Sequence, residues 1–260
     1  MEDRKCGLVL SGGGHRGIAH LGVLQFLEEQ NIHPSVIAGT SAGSIVGALY
    51  AIGKKPEEIL DLFQSISFFN WNYLTYQKPG IFDIDRLGIY LDNEFGDKTI
   101  GDLDKDVYIV ATDMLRGKLK IFNKKTLVKK AILASCALPG LFSPVEIDHV
   151  IYSDGGMLNN FPANIIQGQC DYLIGCNVNP LVTTTVDKLN TIKSITIRSF
   201  EIMMSNNAHL HKNLCDWYLE PADLSNYFTF ESSKNKMKEM YDIGYLEAKS
   251  TFEELNLKNK

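Results

Sequence analysis

Basic runs are scarce in this 260-residue sequence. Its formal net charge is −5, and no block of cations exceeds the pairs Lys124-Lys125 and Lys129-Lys130. It therefore carries no electrostatic footprint for nucleic acid, and no nucleic-acid partner is expected. Paired cysteines are lacking too. Cys6, Cys136, Cys170, Cys176 and Cys215 are odd in number and scattered, with no C-x-x-C spacing and no histidine companion at metal-ligand distance. That pattern argues against a disulfide scaffold or a zinc framework and suits reduced, mostly buried thiols of a cytosolic protein, with no metal expected. The opening Met1-Glu2-Asp3-Arg4-Lys5-Cys6 has neither the apolar core nor the small-residue cleavage site of a signal peptide, so a cytoplasmic protein is expected. The uncharged run from Gln30 to Gly53 has the length of a membrane span, but Asn31, His33, Pro34, Thr40, Ser41, Ser44 and four glycines interrupt it. A strand, a tight turn and a buried helix account for it better.

What is present is an ordinary globular composition, 45% hydrophobic and 22% charged, which excludes a disordered chain. Gly7 to Leu10 reads as a short strand, Ser11-Gly12-Gly13-Gly14 breaks it, and Ile18, Leu21, Leu24 and Leu27 recur at helical spacing. A second strand over Val36-Ile37-Ala38, a turn over Gly39 to Gly43 and a helix marked by Ile45, Ala48, Leu49 and Ile52 complete a β-α-β-α unit with parallel strands. Pro56 suits the first turn of a further helix with Ile59, Leu60 and Phe63 on one face. Val107 to Ala111 and Leu119 to Phe122 read as a hairpin turning at Arg116-Gly117, Leu127 to Ala137 as a helix, and Tyr172 to Val178 as a late buried strand. Met237, Tyr241, Gly244, Tyr245, Ala248, Phe252 and Leu255 form the stripe of a tail helix, which packs on its own sheet or on a partner. Neither repeat nor linker interrupts the chain, so one α/β domain over 1–260 is expected.

The loop Gly12-Gly13-Gly14-His15-Arg16-Gly17 satisfies G-x-G-x-x-G between a strand and a helix. A dinucleotide site needs an acidic residue at the end of the second strand, where Ala38-Gly39-Thr40 stands instead. A P-loop needs Lys-Ser/Thr after the glycines, and none follows. Successive glycines still expose adjacent N–H groups at the positive end of a helix, which makes a nest for an anion. A turn required only for close packing is the simpler alternative. Next, Gly39-Thr40-Ser41-Ala42-Gly43 is a G-x-S-x-G between strand and helix, where a nucleophilic serine is expected in a strained turn with small neighbours. The two loops lie on neighbouring strand ends, so the nest is placed to stabilise an oxyanion formed on Ser41. None of the six histidines has the flanks of a catalytic one, and His209 and His211 lie in a polar helical stretch expected to face solvent. Asp154 is the better base candidate, following Val150 and Ile151 and trailed by Gly155-Gly156. Read alone, it suits a turn residue more readily than a catalyst.

Taken together and in this order, the glycine loop, Gly39-Thr40-Ser41-Ala42-Gly43 and Asp154-Gly155-Gly156 resemble the motifs of the patatin-like phospholipase family. The likeness covers about residues 5–180 and includes Ser135 to Pro144, with Ser143 where relatives often carry a second proline; the helical part over about 186–260 is less similar. The resemblance implies a three-layer α/β fold, a mostly parallel central sheet with helices on both faces. It implies a serine lipid acyl hydrolase of phospholipase A, lysophospholipase or carboxylester type, with phospholipid, lysophospholipid or another acyl ester as substrate. Ser41 would be the nucleophile and Asp154 its general base without histidine, while Gly12, Gly13 and Gly14 would form the oxyanion hole. Gly17, Gly39, Gly43, Gly155 and Gly156 fill the remaining motif positions, and no cofactor is implied. Arg16 either attracts anionic head groups and orients the nest or makes an ion pair that holds the first helix. An acyltransferase using the same acyl-enzyme and a lipid-binding module without turnover are the alternatives. The aromatics of Phe68 to Tyr76, with Pro79-Gly80-Ile81-Phe82, form either a cluster covering the sheet or a cap and membrane-touching rim. At net charge −5, transient contact with the inner face of a membrane would rely on such apolar residues.

Overall fold

The structure is a computed structural model and describes residues 4–65, 79–229, 231 and 233–258. Strand β1 (Cys6–Leu10) lies at the centre of an eight-stranded sheet. It is flanked by β2 (Val36–Thr40) and, on the other side, by β7 (Tyr172–Cys176), both parallel to it. β3 (Asp106–Asp113) continues the parallel order next to β2, and β8 (Trp217–Leu219) continues it next to β7. The far edge is antiparallel: β6 (Val150–Asp154) runs against β3, β5 (Val145–Ile147) against β6, and β4 (Lys118–Ile121) pairs with the end of β3. The sheet is thus mostly parallel.

Alternation along the central strands builds two cores. Leu8, Leu10, Ile37, Ile174 and Cys176 face the larger one, formed with α1 (Ala19–Glu29), α2 (Ala42–Ala51), α3 (Pro56–Ser65), α4 (Asp85–Phe95) and α5 (Val128–Cys136). Val9, Val36, Ala38 and Leu173 face the opposite core. There α6 (Gly156–Asn159), α7 (Ala163–Ile166) and α8 (Ile192–His211) cover the sheet, with Phe161, Ile166 and Ala208 buried. Strands covered on both faces read as continuous apolar runs, as β1 and β2 do. The tail helix α9 (Lys234–Lys258) packs on this chain's own α1. Gly22 and Gly244 let the two backbones touch, since a methyl on Gly244 would stand 1.9 Å from the Ala19 carbonyl.

Several expected elements are refined. The turn over Gly39 to Gly43 contracts to Ser41, because β2 runs through Thr40 and α2 starts at Ala42. Strands β5 and β8, each three residues long, carry too few residues for a period to show. His211 does not face solvent freely: its ring Nδ1 lies 3.0 Å from the Phe161 carbonyl, while His209 is exposed. Phe68 to Tyr76 lie outside the described residues. The end of that segment is described, and Phe82 packs on Phe142 with ring centroids 6.4 Å apart.

Candidate active site

Parallel strands end on one side of the sheet, and loops after them share that edge. Ser41 follows Thr40, which pairs with Val110 of β3, and Asp154 pairs with Ala111, the next residue on β3. Strand register therefore puts Ser41 and Asp154 at one level on either side of β3, where a small side chain separates them. The Ser41 backbone is unusual for a serine, with φ 50° and ψ −123°. Such a conformation costs about 1–3 kcal/mol and persists only where its surroundings enforce it. Here the Ser41 N–H donates to Ser135 Oγ at 2.8 Å, and the Ser41 carbonyl accepts from Ser44 Oγ at 2.6 Å. Thr40 Oγ1 donates to the Asn159 carbonyl at 2.9 Å. Gly39 and Gly43 face each other across the turn, and a methyl on Gly43 would stand 2.2 Å from the Leu10 carbonyl.

Asp154 is held as firmly. Its N–H donates to the Ala137 carbonyl at 2.9 Å, its carbonyl accepts from Thr112 Oγ1 at 2.8 Å, and its Oδ1 accepts from the Gly156 N–H at 2.7 Å. Burial pushes the carboxyl up to about 6, against the pull of the Gly156 N–H and of the nearby Ser41 hydroxyl. Serine and carboxylate therefore face the same space, close enough for each to feel the other. Cys136 lies in the same space, its thiol raised by burial and by the Asp154 charge, with the Ser44 and Ser41 hydroxyls pulling it down.

The glycine loop stands against Ser41, since a methyl on Gly12 would be 3.1 Å from Ser41 Cβ. Its three glycines differ in what their N–H groups do. Gly12 donates to the Asn160 carbonyl at 3.2 Å. Gly13 precedes a 3-10 turn over Gly14–Ile18, and the N–H groups of Gly13 and Gly14 have no acceptor among the described residues. Those two are the donors open to an anion. The first turn of α2 likewise leaves its leading N–H groups without intrahelical acceptors beside Ser41. Arg16 faces elsewhere: Nε and Nη2 donate to the Tyr227 carbonyl at 3.0 and 2.8 Å, and Nη2 lies 3.8 Å from Glu201 Oε1 on α8. In this structure it ties the loop to the C-terminal part of the chain, in accord with its ion-pair alternative.

A cleft of about 610 Å³, counted to its open mouth, connects these groups. Gly14, His15, Ser41 and Asp154 form its polar end, and Ile45, Phe63, Ile84, Leu87, Leu138 and Phe142 its apolar remainder. His15 is buried, which drives its ring down to about 4 and leaves it neutral near pH 7, although Glu231 opposes the shift. The departure at Ser143 proves structural, because its N–H donates to the Phe82 carbonyl at 3.0 Å and its hydroxyl accepts from the Ile84 N–H at 3.3 Å. It fixes one wall of the cleft. Sequence reasoning missed Asn160, whose Oδ1 is buried without a partner beside Gly12 and Gly156, and Asn179, whose amide donates to the Gly12 carbonyl. Polar residues directly after an apolar strand or a D-G-G turn were the available signal. Among the described residues no group of three or more His, Cys, Asp or Glu side chains is arranged to hold a metal ion. No described helix is long and apolar enough to cross a membrane.

A mostly parallel α/β sheet with a serine at one strand end and a buried carboxylate at the same level across β3 defines the class, and comparison with known proteins gives the family. The model of the patatin-like phospholipase family matches residues 8–166, more than half of the chain. The chain belongs to the patatin-like phospholipase family. Over 188 residues it is 34% identical to Lysophospholipase NTE1 of Candida glabrata, covering 68% of this chain and 10% of that protein. An uncharacterized NTE family protein of Mycobacterium tuberculosis is 32% identical over 178 residues, 68% of this chain and 30% of that one. This chain thus spans less than a third of the length of these relatives. Among solved structures, VipD from Legionella pneumophila superposes with a TM-score of 0.65 at 16% identity, covering 97% of this chain and 67% of that one. The type III effector protein ExoU does so with a TM-score of 0.50 at 17% identity, covering 96% and 53%. The likeness to both is one of fold.

Proposed function

We propose that this chain is a serine lipid acyl hydrolase, acting on phospholipid, lysophospholipid or related carboxylic esters, with Ser41 as nucleophile and Asp154 as general base. The observation that carries the reading is the buried carboxyl of Asp154, raised to about 6, which shares the polar end of an apolar cleft with Ser41 at the same level across β3. A carboxylate at its ordinary value is a weak base near neutral pH, and desolvation brings it closer to the working range. Ser41 Oγ attacks the ester carbonyl carbon as its proton passes to Asp154. The resulting oxyanion is met by the N–H groups of Gly13 and Gly14, aided by the dipole of the turn behind them. Collapse breaks the bond to the alcohol, which takes the proton from Asp154, and Ser41 keeps the acyl group. Water then attacks the acyl-enzyme with Asp154 again as base, and the fatty acid leaves.

The acyl chain lies along Phe63, Leu87 and Phe142, and the alcohol leaves past His15 and Thr229. His15, its ring drawn down to about 4 by burial, is a weaker base than Asp154 at about 6. The test is a serine-directed fluorophosphonate probe together with release of fatty acid from a soluble nitrophenyl ester and from lysophospholipid. Labelling at Ser41 and hydrolysis by wild type, both lost in Ser41→Ala, are expected. A folded wild-type protein that takes no label and hydrolyses neither ester overturns the reading in favour of a binding module.

A further inference from the structure

Helix α8 has two dissimilar faces. Inward, Ser205 and Ala208 are buried and Met204 lines the cleft with Ser41 and Asp154. Met204 Cε would lie 3.0 Å from a methyl on Gly156. Outward, Ile192, Ile195, Ile202 and Leu210 share one side of the helix and are 89, 48, 44 and 72% exposed. From first to last they span roughly 27 Å at helical rise. The connection leading into α8 adds Leu181, Val182 and Val186, the last 89% exposed. Single exposed apolar residues are ordinary; exposed Ser199 and Asn206 interrupt this row, but seven large apolar side chains exposed along one stretch mark an interaction surface.

The charge of the same stretch is opposite to that of the molecule. Residues 181–212 hold Lys188, Lys193, Arg198 and Lys212 against Asp187 and Glu201, a net +2, and the remainder of the chain is net −7. We propose that the outward face of α8, with Leu181 to Val186 at its head, docks on an anionic lipid surface. A second copy of the chain fits less well, because a two-fold interface would set this positive face against itself. A bilayer surface instead accepts apolar side chains and attracts Lys188 and Lys212, exposed at the two ends of the stretch. The choice of lipid rests in part on the reading that the cleft takes an acyl chain, so the two are tested apart.

Wild type and an Ile192→Ser/Ile195→Ser variant are sedimented with phosphatidylglycerol vesicles and with phosphatidylcholine vesicles, and both are assayed on a soluble nitrophenyl ester. The exposed side chains take no part in folding or in the cleft, so the variant hydrolyses the soluble ester as wild type does. Wild type is expected to bind phosphatidylglycerol about tenfold more strongly than phosphatidylcholine, less so at high salt. The variant should lose on the order of tenfold per serine. Absent or lipid-indifferent binding, binding unchanged in the variant, or a wild-type dimer that the variant splits overturns the proposal. Vesicle binding by a protein that hydrolyses no ester leaves the docking surface standing and removes the hydrolase reading; hydrolysis without binding does the reverse.

Discussion

At Ser41 the N–H, the carbonyl and the preceding Thr40 hydroxyl each have a partner within 2.9 Å. Along α8, by contrast, four large apolar side chains stand in solvent. Both regions border the same cleft, yet one is specified by backbone geometry and the other by surface chemistry. The difference separates two requirements. Attack on a carbonyl needs atoms held to fractions of an ångström, which only a buried and over-determined turn supplies. Meeting a substrate that resides in an aggregate needs adaptable apolar area, which a rigid polar turn does not offer. Substitutions in the first region should therefore damage turnover of every ester, and those in the second only turnover of esters presented at a surface.

The largest effect tests the first half of that comparison. Ser41→Ala and Asp154→Asn are each expected to lower kcat/KM on a soluble ester by about 10⁴-fold or more while the fold is retained. In wild type, kcat/KM should rise with pH to half its plateau near 6, because Asp154 must lose the proton that burial helps it keep. A midpoint at the ordinary carboxylate value, about 4, would mean that burial is not felt. Stability runs the other way. The folded form binds the Asp154 proton more tightly than the unfolded one, so folding stability falls as pH rises from the unfolded pKa through about 6. Asp154→Asn should thus be more stable to urea unfolding than wild type at alkaline pH, by on the order of 1–3 kcal/mol. An inactive variant without that gain would show that the site stores no such tension.

Glycine positions sharpen the point. Gly43→Ala pushes a methyl into the Leu10 carbonyl of β1, where backbone on both sides leaves no room to yield. A loss of about 3 kcal/mol in urea unfolding is expected, with most soluble-ester activity gone. Gly53→Ala is the control: φ is +85° but nothing lies within 4 Å. Its cost should be about 1 kcal/mol with activity intact. Equal effects at the two positions would remove the claim that contact, rather than backbone freedom, makes Gly43 necessary.

Next in size is Arg16, which joins the two regions. Arg16→Met leaves the Tyr227 carbonyl without its paired donors and Glu201 with Arg198 alone, at a cost of about 2 kcal/mol. Arg16→Lys should recover only part of it, since one ammonium does not reproduce the paired donors at that carbonyl. If Arg16 served anionic head groups instead, the Met variant would be stable and would lose activity on lysophospholipid while keeping it on a neutral ester.

The parallel core and the site loops were legible because both are written in local terms. Four or five apolar residues ending at glycine give a buried strand, and G-x-S-x-G fixes a turn through the residues that must lack side chains. The pairing of Ser41 with Asp154 was legible only through likeness to a family, because 113 residues separate them and register across β3 brings them together. Gly13 and Gly14 could not be told from Gly12 in sequence. What distinguishes them is a carbonyl on Asn160, far along the chain, that occupies the Gly12 N–H. The outward face of α8 went unread for a different reason. Its isoleucines follow helical spacing as core residues do, and only the packing of α6 and α7 beneath the sheet decides which side of α8 is covered.

The smallest expected effect probes that face. Val186 is 89% exposed, so Val186→Ser removes apolar area that the folded chain never buried. Unfolding free energy should change by less than about 0.5 kcal/mol, as at surface positions without a special role. Soluble-ester kcat/KM should stay at the wild-type value, since Val186 does not line the cleft. A fall in soluble-ester turnover would break the separation of the two regions. The route for such coupling is short: α8 carries Met204 into the cleft wall against Gly156, whose N–H holds Asp154 Oδ1 at 2.7 Å. An effect confined to esters held in vesicles would instead keep catalysis in the buried turn and assign the exposed face to reaching the substrate.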